Sequence, residues 1–473
     1  MLFNSLAYGI FLPIVFIIYW VLPNKFRWIL LLISSYYFYM SWNPKYIVLI
    51  LTTTVVSYAS AILVENSNSK RRKKTVLVAA LIVCLGILFV FKYFNFFSES
   101  LVYCMSKLAI PMHPVTLKLL LPVGISFYTF QTLSYVIDVY RGNIKAERNP
   151  GIYAAFISFF PQLVAGPIER AHDLLPQIKD EKSFDYDMAA YGLKLMAWGF
   201  FKKLVIADAV SKYVDYAYMS LESCTGLDLF IAVFFFTVQI YCDFSGYSDI
   251  AIGTARLLGI NLTCNFKSPY FAASIKEFWS RWHISLSTWF RDYVYIPLGG
   301  NRCSKAKRDR NLIITFLLSG LWHGANWTFV IWGGIHGIAQ IIEDHLPKNS
   351  QKKIHKLFAW MIVFAFCNLA WIFFRAPTLS DAIYVIKTLI ADMRYPSRFR
   401  QSTLGIGDPE SLYCFFFIIV LAIYDFASLK TDVIRWISEK NTVVRWAVYI
   451  LLIWVILAFM PPTGTTEFVY FQF

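Results

Sequence analysis

Charge is scarce in this chain, and that scarcity excludes an ordinary soluble protein. Asp, Glu, Lys and Arg make up 15% of 473 residues, against roughly 25% in soluble globular domains. Hydrophobic residues reach 58% and the mean hydropathy is +0.54. Acidic residues are the scarcer sign, 29 against 44 Lys and Arg, for a net charge of +15. In a soluble chain that excess would point to nucleic acid. Here the cations cluster in short loops between apolar runs, where they orient a membrane protein by the positive-inside rule, so nucleic-acid binding is set aside.

Paired cysteines are missing too. The eight cysteines, at 84, 104, 224, 242, 264, 303, 367 and 414, form no C-x-x-C pair and no zinc spacing, so no resident metal or redox centre is expected. There is no G-x-x-x-x-G-K-[ST] phosphate loop, no H-E-x-x-H and no G-x-S-x-G nucleophile elbow, which excludes the common NTPase, metalloprotease and serine-hydrolase designs. Met1-Leu2-Phe3-Asn4 carries no basic n-region and no small-residue cleavage site follows, so Leu6 to Leu22 reads as a retained first span. Without internal repeats, low-complexity tracts or a soluble segment, residues 1–473 read as a single membrane-embedded domain.

What is abundant is apolar sequence of spanning length. Runs at about 5–22, 28–42, 46–64, 75–97 and 118–140 approach or reach the ~20 residues that cross a hydrocarbon core as helix. Later runs at about 357–376, 411–428 and 443–461 do the same. The predicted fold is all-α, a polytopic membrane protein of about 11–13 spans with some re-entrant or interfacial helices. The aromatic content of 18% suits Trp and Tyr belts at the two interfaces. Thr378 to Met393 is amphipathic and is expected on the outer surface, and Phe468, Tyr470, Phe471 and Phe473 read as an interfacial anchor.

The middle of the chain is less regular. Ile152 to Ala165 is apolar but short and meets Gly166-Pro167-Ile168-Glu169-Arg170. Two readings stand: a re-entrant helix lining a cavity, with Glu169 as a candidate substrate-binding residue, or a helix end followed by a solvated loop. Met188 to Tyr218 is helical in pattern but carries Lys194, Lys202 and Lys203, so part of it is expected along the interface. Asp243 and Asp249 sit six positions apart in the apolar run 230–258 and must face protein or water. They are either general acids or bases, or, as the commoner arrangement, ion-pair partners of Arg281, Arg291 or Lys276.

Chemistry concentrates in residues 278–336. Phe278-Trp279-Ser280-Arg281-Trp282-His283 precedes a basic segment at 302–310, and Gly320-Leu321-Trp322-His323-Gly324 follows it. Basic loops at 302–310 and 348–356 bracket Asn311 to Leu346, so that stretch crosses an even number of times, most simply as a hairpin. At ~1.5 Å per residue His323 lies ~20 Å from the inner surface, beside a helix-breaking Gly324. A buried imidazole stays neutral because its charged form is desolvated, and a neutral imidazole can take a proton from an attacking hydroxyl. His323 is the leading candidate base. His283, 40 positions earlier, is a candidate to orient the reactants or stabilise an oxyanion. A hydrogen-bonded packing role for His323 remains the competing reading at this level. Trp282, Trp322, Arg281, Arg291 and Asp243 join Glu169 as candidate substrate-binding residues, and His336 is a weaker candidate on the same hairpin.

At these residues the chain resembles the membrane-bound O-acyltransferase superfamily, and within it the bacterial alginate and peptidoglycan O-acetyltransferase branch. The resemblance rests on Arg281-Trp282-His283-Ile284-Ser285-Leu286-Ser287, on Tyr295-Ile296-Pro297-Leu298-Gly299-Gly300-Asn301 and on Trp322-His323-Gly324. Pro122-Val123-Gly124, Ala165-Gly166-Pro167-Ile168 and Tyr470-Phe471-Gln472-Phe473 support it. It implies His323 as the essential histidine, with His283 as the polar partner sharing its cavity. It implies acetyl-CoA or an acyl carrier protein as a cytoplasmic acyl donor, with no permanently bound cofactor. It implies a separate extracytoplasmic esterase-like partner and a cell-surface polysaccharide, peptidoglycan or teichoic acid acceptor, in the cytoplasmic membrane. The alternatives are a D-alanyl transferase for teichoic acid in the same superfamily, or a polysaccharide or lipid transporter without chemistry. A transporter would often show an inverted repeat, and none is found here.

The charge pattern predicts that the segments 70–74, 141–148, 302–310 and 348–356 are all cytoplasmic and that both termini are outside. Single cysteines at these sites should resist an impermeant thiol reagent in intact cells and react after permeabilisation. Labelling of the 302–310 segment from outside would overturn this topology.

Overall fold

The computed structural model describes residues 1–164, 166–346, 353–394, 409–460 and 468–469, and every regular element among them is helical. Six of these helices are long and apolar enough to cross a membrane: Pro44–Asn66, Lys70–Lys107, Gly226–Leu257, Lys356–Arg375, Pro409–Ser428 and Thr442–Phe459. Leu6–Val21 is a shorter apolar helix. The protein is a multi-pass, all-helical membrane protein.

Where apolar runs and helices differ, the cause is local. The run at 118–140 becomes helical only from Ile125 to Arg141. Pro122 has no N–H to give a helix, and Gly124 adopts φ +75, where a Cβ would lie 2.5 Å from the Leu163 carbonyl oxygen. The apolar stretch after Asn149 forms the short helices Pro150–Ser158 and Phe160–Leu163, broken at Phe159. Residues 166–169 are buried, so the solvated-loop reading of this break does not hold.

The chain divides into two compact units, residues 1–193 with 251–263, and residues 194–250 with 264–473. In the first, the end of the Ile47–Asn66 helix meets the segment before Pro150. Arg148 pairs with Glu65, and the Tyr58 hydroxyl donates to the Arg148 carbonyl at 2.6 Å. The basic stretches 70–74 and 141–148 therefore flank one end of this unit, as a shared side requires.

The second unit carries the histidines. Lys202 and Lys203, expected near the interface, are instead buried within the π-helical turn Phe201–Ala207. Their charge is matched inside: Lys202 Nζ lies 2.7 Å from Asp249, and Lys203 Nζ lies 2.6 Å from Asp243 and 2.9 Å from Asp208. These lysines, not Arg281, Arg291 or Lys276, are the partners of the two membrane aspartates. Close backbone approach makes this possible: a Cβ on Gly199 would meet the Gly246 carbonyl oxygen at 2.7 Å.

The expected hairpin is present as Lys305–His323 and Trp327–His345, joined by Gly324, Ala325 and Asn326. The basic segment proves to be largely helical, because the helix starts at Lys305. Asn326 caps the second helix by accepting from the Thr328 N–H at 3.1 Å. Leu379–Met393 is a helix, opened by a Thr378–Asp381 capping box. Phe468 is fully buried and so is no interfacial anchor, while Tyr470, Phe471, Phe473 and residues 348–352 lie outside the described residues.

Glycine sets the spacing of the hairpin. A Cβ on Gly320 would lie 2.2 Å from the Phe329 carbonyl oxygen, and one on Gly333 would lie 2.2 Å from that of Phe316. Backbone cannot yield as a flexible side chain can. Gly333→Ala is expected to destabilise the protein by about 1–3 kcal/mol, read as a lower unfolding temperature in detergent. An unchanged transition would mean that the two helices separate freely.

Candidate active site

His283 sits between two seven-residue helices, Ile275–Arg281 and Ile284–Phe290. Its backbone is left-handed, φ 43 and ψ 56, a conformation that costs a non-glycine residue free energy and persists only where neighbours enforce it. Asn265 is the enforcing neighbour. Its carbonyl accepts from the Ile284 N–H at 3.0 Å and its side-chain Oδ1 from the Ser285 N–H at 3.1 Å. The turn aims His283 into the core of the second unit, where it is fully buried.

His323 is the last residue of the Lys305–His323 helix. Gly324 follows in extended conformation, and a Cβ there would strike the Phe329 ring at 2.2 Å. The two imidazoles are neighbours, with centroids 6.4 Å apart and ring planes at 62°. Aromatic rings enclose them. Trp322 lies 5.9 Å from His283 and 5.1 Å from His323, and Trp332 meets His323 edge-on at 5.1 Å. Phe244 lies 4.6 Å from His283 and Phe374 lies 5.4 Å from His323. His283 and His323 are 0% and 2% exposed inside this enclosure, and a low-dielectric setting strengthens any charge interaction made there.

Next to this enclosure is a cavity of about 440 Å³ lined by Ala325, Asn326, Phe329, Phe374, Arg375 and Pro377. It lies at the turn of the hairpin, the end opposite Lys305. Phe374 is shared, since one ring lines the cavity and packs on His323. Arg375 is held by Asp215 at 2.7 Å and lies over the Tyr218 ring.

The remaining candidates separate into four groups. Trp322 packs on both histidines, whereas Trp282 is stacked on Phe278 and lies 5.0 Å from Trp371. Arg281 and Arg291 are bound locally instead: Arg281 pairs with Glu277 at 2.5 Å, Arg291 with the adjacent Asp292 at 2.8 Å. Asp243 belongs to the Lys203 network. Glu169 lies in the first unit, where its carboxylate accepts from the Thr263 N–H at 2.6 Å and hydroxyl at 3.1 Å; burial pushes its carboxyl up to about 7.

His336 is fully buried among aromatic rings. Trp279 Nε1–H donates to its Nδ1 at 3.3 Å, and Trp332 stands 4.9 Å from it and 5.1 Å from His323. Sequence reading missed Asn265, whose stretch has no periodicity to flag it. It also missed the Lys202–Lys203 pair, which looked like surface charge. No grouping of His, Cys, Asp and Glu among the described residues is suited to a metal ion.

The fold is that of a polytopic helical membrane protein, and two buried histidines lie 6.4 Å apart among its aromatic rings. The chain belongs to the membrane-bound O-acyltransferase family, whose sequence profile matches residues 149–377, and it is an acyltransferase. It is 41% identical over 384 residues to the probable alginate O-acetylase AlgI of Azotobacter vinelandii, covering 81% of this chain and 76% of that protein. The peptidoglycan O-acetyltransferase of Helicobacter pylori is 37% identical over 425 residues, with 82% and 80% covered. The teichoic acid D-alanyltransferase of Streptococcus thermophilus is 29% identical over 265 residues, with 53% and 64% covered.

Proposed function

We propose that this protein is an O-acetyltransferase of the cytoplasmic membrane that passes acetyl groups from a cytoplasmic thioester donor, acetyl-CoA or an acyl carrier protein, toward hydroxyls of a cell-surface glycan. A separate extracytoplasmic esterase-like partner completes the transfer. The observation that carries this reading is the neighbouring pair His283 and His323, 6.4 Å apart inside an aromatic enclosure at a helix end. The alginate and peptidoglycan relatives support acetyl as the group moved. D-alanyl transfer is favoured less, because the teichoic acid relative matches only 53% of the chain.

In this reading His323 is the general base. It takes the proton of an attacking hydroxyl as the oxygen adds to the thioester carbonyl. The tetrahedral intermediate then collapses, the carbon–sulfur bond breaks, and the departing thiolate recovers a proton from the imidazolium. His283 orients the carbonyl or steadies its developing negative charge. The donor arrives at the basic end of the hairpin, where Arg302, Lys305, Lys307 and Arg310 are exposed. Cations there oppose the helix dipole, so helix stability does not account for them. Membrane orientation accounts for part of their role, and phosphate capture fits the same charges. The cavity at the far end, 18 residues and about 27 Å of helix away, is suited to the accepting side.

His323→Ala is expected to abolish acetylation while membrane insertion and abundance persist. His283→Ala should impair it and leave a residual rate if the residue only orients the reactants. Wild-type acetylation by a well-expressed His323→Ala variant would refute the assignment. Replacing Lys305, Lys307 and Arg308 with Gln should raise the KM for acetyl-CoA with kcat far less affected. An unchanged donor KM in a correctly inserted variant would reduce the segment to an orientation signal.

A further inference from the structure

The buried charge network ends on the chain's own C-terminal tail. Asp243 is 1% exposed, and its two oxygens serve different masters. Oδ1 faces Lys203 Nζ at 2.6 Å, whereas Oδ2 accepts from the backbone N–H of Val469 at 2.7 Å. A carboxylate this deep is tolerated only when paired and hydrogen-bonded, so the tail amide completes the site. Lys203 is shared with Asp208 and rises from the π-helical turn Phe201–Ala207, a rare element that recurs at functional sites.

The residue before Val469 carries the consequence. Phe468 is fully buried, its ring 4.6 Å from Tyr247 and 5.5 Å from Phe244. Phe244 follows Asp243 in the chain and meets His283 edge-on at 4.6 Å and 87°, closer than Trp322 at 5.9 Å or Phe266 at 6.4 Å. One turn of the Gly226–Leu257 helix therefore grips the tail by Asp243 and presses on the imidazole by Phe244.

We propose that Asp243 is a positioning residue: it straps Phe468 and Val469 behind Phe244 and thereby fixes the ring of His283 for acyl transfer. The inference rests on the reading of His283 and His323 as the reacting pair. The tail is then a working part of the active site. Displacing it frees Phe244 to rotate and lets His283 drift from its place beside His323. Misplacement of a catalytic group by about 1 Å can cost about a hundredfold in rate.

The test uses the full-length protein in detergent or proteoliposomes, with Asp243→Ala, Asp243→Asn, Phe468→Ala and Phe468→Leu. Two readouts are taken: kcat and KM for labelled acetyl-CoA, and the rate at which diethyl pyrocarbonate modifies His283, followed by mass spectrometry of its peptide. Asp243→Ala and Phe468→Ala should each lower kcat by about ten- to a hundredfold with donor KM unchanged, and should lose the protection of His283. Asp243→Asn keeps an acceptor for the Val469 N–H and should retain more protection than Asp243→Ala. Phe468→Leu refills the volume and should restore most of kcat. The Phe468 variants leave the ion pairs untouched, so they report even where Asp243→Ala fails to fold. A Phe468→Ala protein with wild-type kcat and a protected His283 overturns the proposal, as does a Phe468→Leu protein no better than Phe468→Ala. Protection of His283 requires no turnover, so failure of the strap is distinguishable from failure of the proposed reaction.

Discussion

Everything in the second unit answers to the burial of ionisable groups in a chain that has few of them. Desolvating an unpaired charge costs several kcal/mol even after relaxation, so each buried cation must find its anion. Lys202 finds Asp249, and Lys203 finds Asp208 and Asp243. A side chain that can be neutral avoids the same cost, and a neutral imidazole is the state a general base needs. The aromatic rings around His283 and His323 shield both side chains from solvent. Close packing between helices makes the arrangement possible, because Gly199 against Gly246, and Gly320 and Gly333 across the hairpin, let backbones approach without side chains between them.

Backbone strain marks one of the two histidines. The left-handed backbone at His283 is one of three such non-glycine positions among the described residues, and Asn265 secures it with two hydrogen bonds. At His323 the helix stops because Gly324 is pressed against Phe329, not because a capping side chain ends it. Each histidine therefore stands at a break in regular structure, held by backbone contacts on one side and rings on the other.

Much of this was legible in the sequence, and the parts that were not share a cause. Apolar runs gave the helices, and basic segments gave the hairpin that carries His323, since both signals are written in consecutive residues. The start of the helix at Ile125 was hidden because hydropathy does not register Pro122 or the conformation of Gly124. Asp243 and Asp249 were correctly read as facing protein. Their partners were misassigned because Lys202 and Lys203 look like surface lysines until a π-helical turn buries them. Arg281 reads as a site residue by its nearness to His283, and the structure adds its pairing with Glu277 four residues earlier. Phe468 looked like an interfacial anchor for the same reason, a local reading of a residue whose partners are more than two hundred positions away.

The central proposal is that acyl transfer takes place beside His283 and His323, with His323 as the general base. An experimental structure with a non-hydrolysable acetyl-CoA analogue tests it most directly. The account predicts the analogue's carbonyl inside the aromatic enclosure, with His323 within hydrogen-bond reach, about 2.6–3.2 Å, of the attacking oxygen or of one bridging water. An analogue whose acyl end stops outside the rings of Trp322, Trp332 and Phe374, with both imidazoles out of reach, would contradict it.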